Sequence, residues 1–243
     1  MPADREGPQG RRLPGGAAIP MLGQGHAGAR RRAVRHPSGP VPLPDPVPRN
    51  QLLTLEEYLA FEDASDVRHE YVGGTVHAMT GVTRRHSRIT MNIAGRLWQG
   101  ARGGPCRVHH SEVKLRVGRV VYYPDVMVAC GTPPRDPRLE TAPCLVVEVL
   151  SDSTERIDRR EKLLEYRTLA SLGAYLIVDQ ERRLVEHHWR ASDGWQHATL
   201  VDTGTIALPC PTLALTLDEI YEGVELPPLE EVLRVREAAA AYG

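Results

Sequence analysis

Glu148 is flanked on both sides by aliphatic residues, in the run Leu145-Val146-Val147-Glu148-Val149-Leu150. An ionised carboxylate in such surroundings is costly unless a cation or a tight partner compensates it. A hard divalent cation is the partner that carboxylate oxygens suit best. Asp125 is a second acid of this kind, in Tyr122-Tyr123-Pro124-Asp125-Val126-Met127-Val128. Pro124 cannot donate a ladder hydrogen bond, so it marks an edge, a bulge or a strand end beside the acid. Glu70, in His69-Glu70-Tyr71-Val72, is a third candidate. The plain alternatives are an ion pair with arginine for Asp125 and Glu148, and an exposed strand carboxylate for Glu70.

Lysine usage draws attention to the same region. Of 30 basic residues only two are lysines, Lys114 and Lys162. A chain so biased toward arginine keeps lysine where a compact charge of tunable pKa serves better than a planar guanidinium. Lys162 follows the Glu148 segment on the next expected helix. There Asp158, Lys162 and Tyr166 fall at i, i+4 and i+8 and share one face. A solvated ion pair with Asp158 is the alternative for Lys162. Arg84, Arg85, His86 and Arg88 cluster at the start of another expected helix, where they would either touch a phosphate backbone or form a solvated charged face. His109-His110 and His187-His188 are not read as zinc ligands, since strand neighbours face opposite sides and no zinc spacing surrounds them. Ser151 lacks a nucleophile elbow, and Gly73-Gly74 reads as a turn rather than a phosphate loop.

The elements that must position these groups begin after a tail. Residues 1–50 hold ten prolines, eight glycines and eight arginines against three acids, a local charge of +5. With a net charge of −1 overall, the remaining 193 residues carry −6. Such a tail buries too little apolar surface to offset its ordering entropy and is expected to be disordered. Residues 51–226 are expected to form one domain, and 227–243 a charged terminal helix. Two capping boxes, Thr54-Leu55-Glu56-Glu57 and Thr216-Leu217-Asp218-Glu219, open helices. A hairpin is predicted over 68–80, turning at Gly73-Gly74. Ile89, Ile93 and Leu97 predict a helix over 84–101. Strands are predicted at 110–117, 119–130, 144–151, 174–179, 183–190 and 195–201, and a further helix at 155–170. The 144–151 run is apolar enough to be buried on both faces. The order gives a mixed α/β fold, α+β in character.

The four cysteines, Cys106, Cys130, Cys144 and Cys210, are widely scattered. They read as small core residues in a reducing compartment, neither a disulfide frame nor a zinc site. No apolar run is long enough to span a membrane, and no signal core opens the chain. A cytoplasmic location is the expectation. The balanced overall charge excludes a uniformly basic nucleic-acid coat, though not a local basic patch.

Pro124-Asp125, Glu148-Val149-Leu150-Ser151 and Lys162 together resemble the PD-(D/E)XK nuclease superfamily. Residues 53–223 are similar to its branch of restriction-endonuclease domains, abundant in cyanobacteria and other bacteria. The stretches that carry the likeness are LTLEEYLAFED, RHEYVGGTV, YYPDVMVAC, LVVEVLSDSTERIDRREKLLEYR and AYLIVD. The resemblance implies a restriction-endonuclease-like fold, a central mixed β-sheet flanked by helices. It implies Mg²⁺ or Mn²⁺ bound by Asp125 and Glu148, with Glu70 completing the metal site and Lys162 assisting the attacking water. It further implies a DNA substrate. Cutting both strands of a duplex would need two sites, which a homodimer would supply. One departure stands out. The superfamily's lysine usually follows the glutamate by two residues, where this chain has Leu150, and Lys162 is the expected replacement. The competing readings are a catalytically inactive nucleic-acid-binding or interaction domain and a hydrolase of a small phosphorylated substrate.

Overall fold

The computed structural model describes residues 52–150 and 161–227. The expected tail, Ser151, Asp158, most of the first half of the 155–170 helix and the terminal helix beyond residue 227 lie outside the described residues. The chain order within them is α1 (Leu55–Ala64), β1 (His69–Val72), β2 (Thr75–Ala78), α2 (Arg84–Ala101), β3 (Cys106–His109), β4 (Lys114–Val117), β5 (Val120–Tyr122), β6 (Val126–Cys130), β7 (Leu139–Glu140) and β8 (Pro143–Leu150). There follow α3 (Leu163–Arg167), β9 (Ala174–Asp179), β10 (Leu184–Ala191), β11 (Gly194–Val201), β12 (Thr205–Pro209), β13 (Thr212–Thr216) and α4 (Leu217–Ile220).

Two sheets carry the fold. The larger has the order β11-β10-β9-β8-β6-β3, and the smaller β2-β1-β5-β4-β7, with β12 and β13 as a separate hairpin. The larger sheet is mixed: β8 and β9 run parallel, while β6 meets β8 and β10 meets β9 antiparallel. Parallel neighbours need a crossover, and α3 lies in the segment that joins β8 to β9.

Each face of the larger sheet is sealed by a different layer, which explains why β8 is aliphatic on both sides. Val126, Val128, Leu145, Val147, Val149, Leu176 and Val178 meet Ile89, Ile93 and Leu97 of α2. Those three α2 residues are fully buried, and each contributes roughly 1.5–3 kcal/mol on burial. On the opposite face Met127, Val146, Leu150, Tyr175 and Ile177 pack with Leu115, Val117 and Tyr122 of the smaller sheet and with Tyr166 of α3. A third cluster joins Tyr58 of α1 to Tyr71 and Val121.

Local signals act as the sequence indicates. Both capping boxes close reciprocally, Thr54 with Glu57 and Thr216 with Glu219. The first hairpin turns through Gly73 and Gly74 at φ +59° and +90°, a conformation glycine adopts without penalty. The 119–130 run is broken at Pro124 into β5 and β6. The 110–117 run is shorter than expected, pairing only from Lys114. Strands β3, β7, β12 and β13 were not foreseen. No helix of the described residues is long and apolar enough to cross a membrane.

The cysteine expectation is corrected. Cys106 is bonded to Cys130 and Cys144 to Cys210, so among the described residues no cysteine is free. Strand pairing sets Cys106 directly opposite Cys130, a juxtaposition that sequence separation cannot reveal.

Candidate active site

The end of β8 sits where the two sheets and α3 meet. Along β8, Leu145, Val147 and Val149 face α2, while Val146 and Leu150 face the smaller sheet. Strand alternation puts Glu148 with the latter set. Glu148 is only 3% exposed, and so is Lys162, the residue that caps α3. Lys162 Nζ lies 3.3 Å from Glu148 Oε1 and 2.9 Å from Glu70 Oε1. It also stands 5.2 Å from the centre of the Tyr122 ring, within cation–π range. One ammonium therefore links the acid of β8 to the acid of β1, across the two sheets.

Tyr166, one helical turn beyond Lys162, donates its hydroxyl to Glu148 Oε1 at 2.8 Å. Burial above all, with the Glu148 charge next, holds the Tyr166 phenol well above its ordinary pKa. The group stays protonated and remains a donor. Glu70 Oε1 also accepts from the Tyr123 backbone N–H at 3.4 Å.

Asp125 precedes β6, just after the break at Pro124. Val126 pairs with Val147, so the same register carried one residue further sets Asp125 across from Glu148. Asp125 Oδ2 accepts from the Val149 backbone N–H at 2.7 Å and lies 3.2 Å from His86 Nε2. The bound oxygen fixes the carboxylate's aim. Among the described residues no hydrogen bond engages Asp125 Oδ1 or Glu70 Oε2.

The residues grouped at the start of α2 divide. His86 is buried and meets Asp125 instead of facing outward. Arg85 makes two 2.7 Å hydrogen bonds to the carboxylate of Glu181. Arg84 and Arg88 are exposed and, with Ser87, Met91 and Asn92, line an open groove on the helix. His86 shares a helical face with Ile89, Ile93 and Leu97, and that spacing is the signal for its inward position. Lys114, the other lysine, is buried on Asp63 at 2.9 Å, away from these groups' contacts.

A further buried acid, Glu62, escaped the sequence reading. Its Oε1 accepts from Tyr123 Oη at 2.7 Å and from the His69 backbone N–H at 3.0 Å, and its Oε2 lies 3.0 Å from His69 Nδ1. It occupies i+4 from Tyr58 on the inner face of α1, a position that an acid takes only with partners. Glu62 thereby ties α1 to the strand that bears Glu70 and to the side chain of Tyr123, two residues ahead of Asp125.

Chemically the donor set is all oxygen: three carboxylates on three strands or strand ends. That suits a hard divalent cation, and Asp125 Oδ1 and Glu70 Oε2 are the oxygens left for one. The lysine supplies a positive charge beside them without being a ligand.

A mixed sheet with acids at the ends of adjacent central strands, flanked by helices, defines the restriction-endonuclease-like class. The fold is shared with a solved structure from Anabaena variabilis, described as a putative nuclease belonging to DUF820. That match has a TM-score of 0.61 and 16% identity, and covers 71% of this chain and 99% of that one. The chain belongs to the Uma2 family, described as putative restriction endonuclease, which residues 55–219 match. Two uncharacterized proteins of Synechocystis are similar in sequence. One, slr1290, is 34% identical over 178 residues, covering 71% of this chain and 93% of the relative. The other, sll1609, is 30% identical over 152 residues, covering 60% and 86%.

Proposed function

We propose that this protein is a divalent-metal-dependent endonuclease that hydrolyses phosphodiester bonds in DNA, with Mg²⁺ or Mn²⁺ as cofactor. The observation that carries the reading is the buried Lys162 ammonium, 2.9 Å from Glu70 and 3.3 Å from Glu148. A lysine absent from its usual place two residues after the glutamate thus reaches the same carboxylate from the following helix.

Asp125 and Glu148 would hold the metal, with Glu70 completing the set. Bound there, the ion supplies charge for the phosphoryl oxygens and lowers the pKa of a coordinated water. The chain's own residues do the positioning. Val149 N–H and His86 lock Asp125 through Oδ2, so that Oδ1 would be the oxygen offered to a metal. Tyr166 holds Glu148 from one side. Lys162 brings N–H donors and positive charge to the region where a cleaved phosphodiester gathers negative charge, and orients the attacking water. Arg84 and Arg88 contact the DNA backbone. Cutting both strands takes two such sites, so a homodimer is the working assembly.

The test is cleavage of plasmid and single-stranded DNA with Mg²⁺ or Mn²⁺, against EDTA and against Glu148→Ala. Metal-dependent cutting that disappears in the variant supports the reading. Cutting that persists at wild-type rate in Glu148→Ala overturns the site, and folded protein that never cuts any DNA under these conditions overturns the activity.

A further inference from the structure

All four cysteines of the chain meet at the end of the larger sheet opposite to the acids. Cys106 opens β3, Cys130 closes β6, Cys144 lies at the start of β8, and Cys210 sits in the turn between β12 and β13. Cys130 is five residues along β6 from Asp125, and Cys144 four along β8 from Glu148, roughly 13–17 Å at the usual strand rise. This cluster is therefore separate from the candidate active site.

Cys130 and Cys144, although bonded to different partners, bring their sulfurs to 3.3 Å of each other. Two independent staples have no need to touch. The sulfurs of Cys130, Cys144 and Cys210 all lie within 4.8 Å of one another, and among the described residues they form the single group of three or more His, Cys, Asp or Glu donors drawn so close. Cys106 is joined to that group through its bond to Cys130. In a zinc tetrathiolate the Zn–S distance of about 2.3 Å implies sulfurs about 3.8 Å apart. The non-bonded Cys130–Cys144 approach of 3.3 Å is close to that value.

We propose that the reduced protein binds one Zn²⁺ through Cys106, Cys130, Cys144 and Cys210, and that the two disulfides are the oxidised form of this site. Reduction by a dithiol delivers two electrons and two protons to each disulfide, and the dithiol leaves as a cyclic disulfide. Zn²⁺ then displaces four protons from the four thiols. Four sulfur ligands close the coordination sphere, which makes the site structural. The ion ties the β12–β13 hairpin to β8 and clamps β3 against β6. Soft thiolates also keep the site from taking the hard cation that the distant carboxylates suit.

The test uses the full chain without a histidine tag, reduced with a dithiol under anaerobic conditions, loaded with Zn²⁺ and desalted. Elemental analysis should give one zinc per chain, and Co²⁺ in its place should show thiolate-to-cobalt charge transfer with tetrahedral visible bands. Zinc retention should fall at least tenfold in Cys144→Ser and persist in Asp125→Ala/Glu148→Ala. Should the cysteine variant not fold, the wild-type cobalt spectrum decides alone. Less than 0.2 zinc per chain, a cobalt spectrum without thiolate charge transfer, or zinc lost in the acid double variant but kept in Cys144→Ser overturns the proposal.

Discussion

Lys162 and Glu148 illustrate how much one buried pair determines. Both are almost wholly out of water, so each compensates a charge the other could not carry alone. Lys162→Ala should abolish cleavage and lower the stability of the metal-free protein by about 3 kcal/mol, read from denaturant unfolding. Tyr166→Phe should cost about 1.5–3 kcal/mol, the range for a hydrogen bond to a charged group, while preserving the lysine contact. Unchanged unfolding midpoints in both variants would count against these contacts as stabilising ones. His187 makes a separate prediction about pH. Burial, with His188 next in effect, lowers its pKa from 6.5 to about 4. Between those values the unfolded chain takes a proton that the folded one refuses, so stability falls as pH drops from 6.5 toward 4. Unfolding midpoints across that window should fall less steeply in His187→Leu than in the wild type; equal slopes would count against the assignment. At this scale the sequence was legible wherever an acid interrupted an aliphatic run, as at Glu148 and Asp125. It misled at His86, where neighbouring arginines suggested an outward face although the residue lies in register with Ile89, Ile93 and Leu97.

At the level of elements, what could be read depended on whether the signal was local. Capping residues, a two-glycine turn and a four-residue apolar spacing each specify structure within one stretch of chain, and α1, the β1–β2 hairpin and α2 follow from them. Strands β3, β12 and β13 owe their existence to pairing partners distant in sequence or to a hairpin without alternating polarity, and only assembly reveals them. The cysteines belong to the same category, since their meeting depends on the registers of β3, β6 and β8. Helix α2 has a further role, because its first turn delivers His86 to Asp125. Thr83 caps that turn, accepting from the His86 backbone N–H at 3.1 Å, and its hydroxyl also contacts Gln180 Oε1 at 2.5 Å. Thr83→Ala should therefore cost about 1 kcal/mol in unfolding free energy. It should also lower the cleavage rate, while Thr83→Ser restores both. Loss of stability with full activity would show that the cap does not govern the Asp125 contact.

For the whole molecule the governing quantity is charge. Residues 51–243 carry −6, which opposes the approach of DNA, and nonspecific affinity comes chiefly from neutralised phosphates. On the proposed function, DNA binding would then rest on a few local cations. The start of α2 supplies two of them, because Arg84 and Arg88 are exposed while Arg85 is committed to Glu181. Each phosphate contact contributes about 0.9 to the slope of log affinity against log salt on duplex DNA. Arg84→Gln/Arg88→Gln in the full chain should thus make that slope shallower by about 2, and weaken binding most at low salt. Glu148→Ala is the useful background, since it allows binding to be measured without cutting. A slope unchanged by the double substitution would move the DNA path away from α2. Its likeness to the wild-type slope would then direct attention to Arg30, Arg31, Arg32 and Arg35, a run of positive charge outside α2.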